Sequence, residues 1–211
     1  MRYDFYAYMD RMKYIKRWQL MRSTRDENIM EHSQSVALLA HALVTIHNEV
    51  YGGNADVLKT VLCAMYHETS EVMTGDLPTP IKYYNKNIHG AYKEIEKNAC
   101  EKIVKTLPQE MQGSIAPYVL ADGDCTEQRL VKAADRLAAY IKCLEELRSG
   151  NMEFSKAKKS IEEDTETYAE EHKNDLRYVE YNKQFEERER ALQEETNKKK
   201  KKLKPPKMLG K

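Results

Sequence analysis

Several histidine and carboxylate side chains of this sequence stand where helices could bring them together. His32 follows Glu31 at the head of an apolar stripe, His67 precedes Glu68, and Asp135 lies in a stretch rich in Ala and Leu. Imidazole nitrogens and carboxylate oxygens that project from three helices toward one point form a mixed site, which suits Mn²⁺, Co²⁺, Fe²⁺ or Zn²⁺. Taken together, these residue types indicate metal chemistry.

Each of these residues taken alone also has an ordinary structural explanation. A histidine at the head of an apolar stripe, such as His32, is usually a core or capping residue. Asp135 can pair with Lys132 or Arg136. The hypothesis of a metal site therefore depends on whether the side chains converge in three dimensions.

Glu71 is a candidate for proton transfer, because it follows His67 by four residues. If the helix that contains His67 continues, both side chains face the same direction. The Glu71 carboxylate then lies beside a metal ion without necessarily binding it, which is where a general acid or base is needed.

Three apolar helices are predicted to position these groups. The first covers about 31–49, where apolar residues follow the histidine at +4, +7, +11 and +14. Residues 51–54 break the chain, and a second helix runs over about 55–67. The third has the strongest periodicity, over 130–147, and contains Asp135.

The other segments are less regular. Residues 74–80 are predicted to form a loop of defined shape, because two prolines and a glycine interrupt them. Helices are predicted over about 88–106 and 109–119. A long, charge-rich helix is predicted over 153–196, and its sparse apolar stripe would suit a dimer or partner contact. Residues 197–211 are predicted to be a disordered basic tail.

Composition favours an all-α protein with one domain. Charged residues make up 33% of the 211 residues, whereas Gly and Pro together number only 14. Residues 197–211 hold eight Lys and no acid, so residues 1–196 carry 27 basic and 34 acidic residues, a net charge of −7. This acidic body argues against specific nucleic-acid binding. We predict a single domain over 1–196, with a helical extension from about 153.

Cysteine spacing and the N-terminal residues indicate the compartment. The four cysteines include no Cys-x-x-Cys pair, which excludes the common zinc and redox motifs. The N-terminus lacks the apolar core of a signal peptide, and no apolar stretch approaches 18 residues. We therefore expect free thiols in a cytoplasmic protein that does not span or bind a membrane.

The order His…His-acid…Asp resembles the HD-domain metal phosphohydrolases, and the flanking residues resemble the bacterial YfbR-type 5′-deoxynucleotidases more specifically. The resemblance covers roughly residues 3–190. The strings that carry it are Arg17-Trp18, Glu31-His32-Ser33 with Val36-Ala37, Met65-Tyr66-His67, Ser70-Glu71-Val72, Thr74-Gly75-Asp76-Leu77-Pro78-Thr79-Pro80, Val131-Lys132 with Ala134-Asp135, and Lys142-Cys143-Leu144-Glu145-Glu146-Leu147.

The resemblance implies an all-α HD-domain helical bundle that forms a homodimer. It implies an enzyme that removes the 5′-phosphate from deoxyribonucleoside 5′-monophosphates with one divalent metal ion per subunit, such as Mn²⁺ or Co²⁺, whose identity stays open. The metal ligands that it implies are His32, His67, Glu68 and Asp135. Glu71 would act on the attacking water.

The same resemblance implies how the substrate is held. Arg17 would orient the phosphate and act in catalysis, and Trp18 would cover the nucleotide. Residues 76–79 would line the sugar, where a 2′-hydroxyl is excluded. The implied substrate-binding set is Arg17, Trp18, Glu68, Asp76, Leu77, Pro78, Thr79 and Asp135.

Position 68 departs from the pattern of the family, which has Asp there. Glutamate is longer by one methylene, so in a rigid site its carboxylate must fold back, bind in another mode, or miss the metal. Two alternatives follow. The chain could be a catalytically weakened nucleotide sensor, or a phosphohydrolase of nucleoside triphosphates or alarmones. The string at 76–80 and the scarcity of basic residues near the motifs count against the second alternative.

Overall fold

Nine α-helices and no β-strand make up the part of the chain that the structure describes, residues 4–176 of a computed structural model. This confirms the predicted all-α class. A 3₁₀ turn at Met12–Tyr14, a π-helical turn at Ile46–Val50 and a 3₁₀ turn at Met152–Phe154 adjoin the helices. The helices are α1 (Phe5–Arg11), α2 (Ile29–Thr45), α3 (Val57–Tyr66), α4 (Glu71–Thr74), α5 (Thr79–Lys82), α6 (Lys86–Val104), α7 (Gln109–Val119), α8 (Thr126–Arg148) and α9 (Ser155–Glu171).

Helices α2, α3 and α8 pack against one another in the centre of the fold. Their contact faces include small residues that are fully buried, among them Ala40 on α2, Ala64 on α3 and Ala134 on α8. Small side chains at a crossing point let two helix axes approach closely. The three helices that are predicted to position the metal ligands are therefore neighbours.

The start of α2 is fixed by a reciprocal cap. The Asn28 side chain accepts hydrogen bonds from the backbone N–H groups of Met30 at 3.0 Å and Glu31 at 2.9 Å, and the Glu31 carboxylate accepts one from the Asn28 N–H. Two otherwise unpaired donors of the first turn are satisfied in this way. Because His32 lies in that turn and is fully buried, the cap also fixes where His32 enters the core.

A second group of buried side chains joins α1, α6 and α7 to the start of α2. It also includes Val72 of α4, and α4 packs against α6. This packing holds Glu71, the first residue of α4, at a defined place. The buried members are Phe5, Met12, Ile29, Val72, Ile103, Val104, Leu107 and Val119.

The C-terminal helix is shorter than predicted. Helix α9 ends at Glu171, because the next turn brings Asp175 back to α8, where its carboxylate accepts a hydrogen bond from Arg129 at 2.6 Å. Phe154 and Leu176, at either end of this region, are almost fully buried within the same chain. The rest of the predicted helix, 177–196, and the predicted tail lie outside the described residues.

The proline-containing loop is also partly different from the prediction. Residues 75–78 are irregular, but Thr79–Lys82 form the short helix α5. Pro80 is tolerated there because a proline in the first turn of a helix removes no hydrogen bond. Gly75 has a φ of 72°, which favours glycine and turns the chain between α4 and the loop.

The four cysteines are free thiols that differ in their burial. Cys63 and Cys143 are buried free thiols, whereas Cys100 and Cys125 are half-buried and also free. Within residues 4–176 no helix combines the length and the apolar character that crossing a membrane requires.

Candidate metal centre and active site

The four predicted metal ligands come together between α2, α3 and α8. One ligand atom from each of His32, His67, Glu68 and Asp135 can be chosen so that all lie within 4.8 Å of one another. Asp135 Oδ1 is 2.9 Å from His32 Nε2, and Glu68 Oε1 is 3.7 Å from the same nitrogen. The two imidazole rings are 5.4 Å apart between their centroids. The convergence on which the metal hypothesis depends is therefore present.

His67 is oriented as a metal ligand needs to be. It caps the C-terminus of α3, and its Nδ1 donates to the Ala64 carbonyl at 2.7 Å. This bond leaves the lone pair of Nε2 directed at the cluster. Among the described residues, Nε2 is buried and has no hydrogen-bond partner, although Glu68 Oε1 is 3.3 Å away. An oriented, unpaired imidazole nitrogen beside two carboxylates fits a divalent cation.

Charge within the cluster shifts its proton affinities. Burial acts to lower the pKa of His67, but the Glu68 and Asp135 carboxylates outweigh it and raise that pKa. Burial likewise opposes ionisation of Asp135, but its hydrogen bond to His32 lowers the pKa to about 2. The pKa of Glu68 is held well below its usual range, against the effect of burial, by His67, His32 and Arg17. Both acidic ligands are thus carboxylates at neutral pH.

Glu71 reaches this cluster by a different route from the one predicted. Helix α3 ends at Tyr66, residues 67–70 form a turn, and Glu71 begins α4, so the helix does not continue as assumed. The Glu71 carboxyl is nevertheless buried, and within residues 4–176 its Oε2 has no hydrogen-bond partner. Burial, with the nearby charges of Glu68 and Asp76, raises the pKa of Glu71 to about 10. It is a carboxyl group that holds a proton at neutral pH.

Arg17 and Trp18 lie in the segment before α2, next to the metal ligands. The Arg17 guanidinium contacts His32 Nδ1 and donates to Glu27 Oε2 at 3.0 Å. Although burial disfavours its charge, the carboxylates of Asp135, Glu68, Glu27 and Asp76 raise the pKa of Arg17. This cation therefore stays charged beside the metal ligands.

The residues of the loop 76–79 differ in their burial and in how close they lie to the candidate site. Asp76 is half-buried, and burial raises the pKa of its carboxyl group against the opposing effect of the nearby Arg17 guanidinium. Leu77 and Pro78 are half-buried and Thr79 is exposed. In the described part of the chain, no hydrogen bond or ion pair joins these three residues to the metal ligands.

A cleft opens beside the Arg17–Trp18 segment. Its volume is about 510 Å³, and Arg17, Trp18 and Gly75 are among the residues that line it. This volume falls within the range of small-molecule sites. The four candidate metal ligands are not among its lining residues, so the cleft extends from the Arg17–Trp18 segment.

Two site residues were not predicted from the sequence. Glu27 bonds both Arg17 and Trp18, and Lys82 of α5 pairs with Glu96 at 2.7 Å. Burial opposes the charge of Lys82, but Glu96, Glu68 and Glu71 raise its pKa. Only the position of Glu27 directly before the helix cap was available as a signal. For Lys82 the sequence offered none, because its partner lies 14 residues away on another helix.

Known proteins share this chain's sequence pattern and fold. A family model described as "5′-deoxynucleotidase YfbR-like" matches residues 4–184. The 5′-deoxynucleotidase YfbR of Escherichia coli is 51% identical over 159 residues, 75% of this chain and 80% of the relative. A 5′-deoxynucleotidase of Vibrio vulnificus is 49% identical over 159 residues, 75% of this chain and 82% of the relative.

Solved structures support the same architecture. An HD-domain phosphohydrolase from Listeria innocua superimposes with a TM-score of 0.71, and the match covers 83% of each chain at 17% sequence identity. At that identity the likeness concerns the fold alone. It agrees with the HD-domain helical bundle that the sequence pattern implied.

Proposed function

The chain belongs to the YfbR-like 5′-deoxynucleotidase family, and from that membership we propose that it hydrolyses deoxyribonucleoside 5′-monophosphates to deoxynucleosides and orthophosphate. The observation that carries the proposal is the convergence of His32, His67, Glu68 and Asp135 within 4.8 Å, with Glu71 and Arg17 beside them. These are the residues on which the sequence resemblance placed the chemistry.

The HD fold implies a divalent metal ion, and the four residues above would hold it. We take Mn²⁺ or Co²⁺ as the first candidates, because the ligands are two imidazoles and two carboxylates. A bound divalent ion would polarise the phosphoryl oxygen, activate water, and offset the carboxylate charge that now raises the pKa of Glu71.

The chain's own side chains supply the remaining steps. Arg17 offers a planar fork of donors to the phosphate oxygens and offsets the charge that develops on them. Water attacks phosphorus and gives up a proton, the bond from phosphorus to the 5′-oxygen breaks, and that oxygen takes up a proton to leave as the 5′-hydroxyl of the deoxynucleoside. Glu71, which would lose its own proton once a bound cation offsets the neighbouring negative charge, accepts a proton from the attacking water at its buried carboxylate.

The nucleoside would lie in the cleft beside Trp18. In this proposal Trp18 covers the nucleotide, and residues 76–79 line the sugar, where a 2′-hydroxyl is excluded. Gly75, which directly precedes this loop, lines the same cleft as Arg17 and Trp18, which supports this arrangement. Glu68 and Asp135, as metal ligands, would face the phosphate.

Phosphate release tests the proposal directly. With saturating Mn²⁺ or Co²⁺, we expect orthophosphate from deoxyribonucleoside monophosphates and much less from the matching ribonucleotides. Glu71→Gln keeps the shape of the side chain but removes its proton transfer, so kcat should fall by about 10²-fold or more while metal binding persists. No release from any monophosphate at metal saturation would refute the enzymatic proposal. Pyrophosphate or tripolyphosphate as the product would favour a triphosphatase or alarmone hydrolase.

The structure offers no support for the alternative of a nucleotide sensor with a lost metal ligand, because Glu68 Oε1 reaches within 3.3 Å of His67 Nε2. Family membership leads us to propose a homodimer and a cytoplasmic location as well. The mass of the full chain in solution, measured by light scattering, tests the dimer.

A further inference from the structure

One carboxylate oxygen joins the two residues that would receive the nucleotide. Glu27 Oε2 accepts a hydrogen bond from Arg17 Nη1 at 3.0 Å and another from the Trp18 indole Nε1 at 3.0 Å. The Arg17 and Glu27 side chains are only 14% and 16% exposed. The pair of bonds is therefore largely shielded from water, where bonds to a charged group are strongest.

The backbone holds Glu27 opposite these two residues. The Arg17 N–H donates to the Glu27 carbonyl at 2.9 Å, and the Ile29 N–H donates to the Ile15 carbonyl at 3.0 Å. An antiparallel bridge between Lys16 and Asn28 lies between these bonds. Glu27 is thus paired with the Arg17–Trp18 segment by both its backbone and its side chain.

Trp18 needs such support, because its backbone is strained. Its φ is 60°, and within residues 4–176 it is the one non-glycine residue with a positive φ. A bulky residue holds this conformation only when its surroundings fix it. Here Glu27 binds the indole N–H, and the Phe154 ring packs against the Trp18 ring at 5.2 Å between centroids.

The presence of a carboxylate at position 27 indicates a role toward the Arg17 guanidinium. Asp135, Glu68 and Asp76 already surround that guanidinium with negative charge. A neutral acceptor would satisfy the indole alone, whereas a carboxylate also anchors one arm of the guanidinium and sets the direction in which the others point. The same nitrogen, Nη1, also contacts His32 Nδ1, so this arm of the guanidinium is held between Glu27 and a candidate metal ligand.

We propose that Glu27 is a positioning residue, whose carboxylate fixes the Arg17 guanidinium and the Trp18 indole in the arrangement that receives the nucleotide. The proposal rests on the proposed function for what Arg17 and Trp18 bind. The contacts of Glu27 with Arg17 and Trp18 do not depend on the proposed function, so they can be tested without measuring turnover.

Fluorescence tests the contact, because Trp18 is the single tryptophan of the chain. Glu27→Ala should shift the emission to longer wavelength and increase quenching by acrylamide. Glu27→Gln, nearly the same shape, keeps a carbonyl acceptor and should give a smaller change. Glu153→Gln is the matched control: it removes the same charge, and its carboxylate bonds the Arg22 N–H rather than Arg17 or Trp18. Unchanged Trp18 emission and quenching in both Glu27 variants would overturn the proposal.

Kinetics test the positioning of Arg17. Glu27→Gln should raise KM for deoxyadenosine 5′-monophosphate by about tenfold, the usual effect of losing a charged hydrogen bond, and change kcat much less. In an Arg17→Ala background the same substitution should raise KM by a smaller factor than in the wild type, because only its effect through Trp18 remains and residues that act through one another are not additive. A wild-type KM in Glu27→Gln, or effects that multiply fully in the double variant, would contradict positioning.

The two proposals fail in different ways. If the wild-type protein releases no phosphate from any deoxynucleotide, the proposed function fails, and the Glu27 proposal is then decided by Trp18 fluorescence during titration with deoxyadenosine 5′-monophosphate. The wild-type signal should change on binding, and Glu27→Gln should require about tenfold more nucleotide for the same change. Equal titration curves would refute the role of Glu27.

Discussion

At the scale of single residues, Glu68 is the side chain that separates this protein from the pattern it resembles. Despite the extra methylene, the Glu68 carboxylate stays among the candidate metal ligands, since Oε1 lies 3.3 Å from His67 Nε2 and 3.7 Å from His32 Nε2. We interpret Glu68 as an adapted ligand.

Shortening this side chain tests that interpretation. Glu68→Asp withdraws the carboxylate by about 1.5 Å, one carbon–carbon bond. We expect Mn²⁺ affinity, measured by calorimetry, to fall by about tenfold or more. Glu153→Asp, which removes a methylene from an exposed carboxylate, should change nothing. A sharp rise in affinity and in kcat/KM would mean instead that Glu68 weakens the site.

At the scale of secondary structure elements, a buried polar network attaches α8 to the segment that leads into the site. The Glu146 carboxylate accepts hydrogen bonds from the Thr24 N–H at 2.8 Å, from Asn151 Nδ2 at 2.9 Å and from the Lys142 ammonium. Lys142 also donates to the Arg25 carbonyl at 2.6 Å. The network therefore fixes the loop that precedes Glu27 and the cap of α2.

The pH dependence of stability follows from this network. Burial acts against ionisation of Glu146, but its hydrogen bonds from Lys142, Asn151 and Thr24 hold its pKa well below the usual range. A lowered native-state pKa stabilises the fold above the unfolded value of about 4.3, and this stabilisation is lost as the pH falls below that value.

Removing the negative charge of Glu146 should reveal the same pH dependence of stability. Glu146→Gln should lower the free energy of unfolding by about 3 kcal/mol at pH 7, because Lys142 is left as an unpaired buried cation. The difference from wild type should narrow at pH 3. Urea unfolding at both pH values measures it, with the exposed neighbour Glu145→Gln as control. A difference that is equally large at pH 3 would contradict the assignment.

Helix positions could largely be predicted, but helix ends less so. The segment predicted at 109–119 is helix α7 with the same bounds, and capping by Asn28 follows from a local sequence signal. The early end of α9 could not be predicted, because it depends on Asp175 meeting Arg129, 46 residues away. The short helix α5 was missed because two prolines indicated a loop.

At the scale of the whole molecule, the net charge is distributed unevenly along the chain. The total of +1 combines −7 over residues 1–196 with the eight Lys of residues 197–211. Within residues 4–176, the cations Arg17 and Lys82 lie near the carboxylates of the candidate site. We therefore expect that attraction of a phosphate is a local property of the site and does not need the basic C-terminal residues.

Removing the basic segment tests this division. A variant that ends at Thr196 should keep the kcat/KM of the full chain within about twofold and the same thermal midpoint. Light scattering should give the same number of subunits for both. A midpoint lower by about 2–4 °C, equivalent to about 1 kcal/mol for a chain of this size, would show that residues 197–211 contribute to the fold.

The sequence by itself determined the all-α class, the central helices and, through its resemblance to a family, which residues to test as metal ligands. These follow from periodicity, caps and motif strings, which are local patterns. Only the tertiary structure decided that Glu27 holds both Arg17 and Trp18, that Glu71 arrives on a new helix, and that Glu68 reaches the cluster. Which side chains of different elements meet depends on how those elements pack, and local sequence patterns do not specify that.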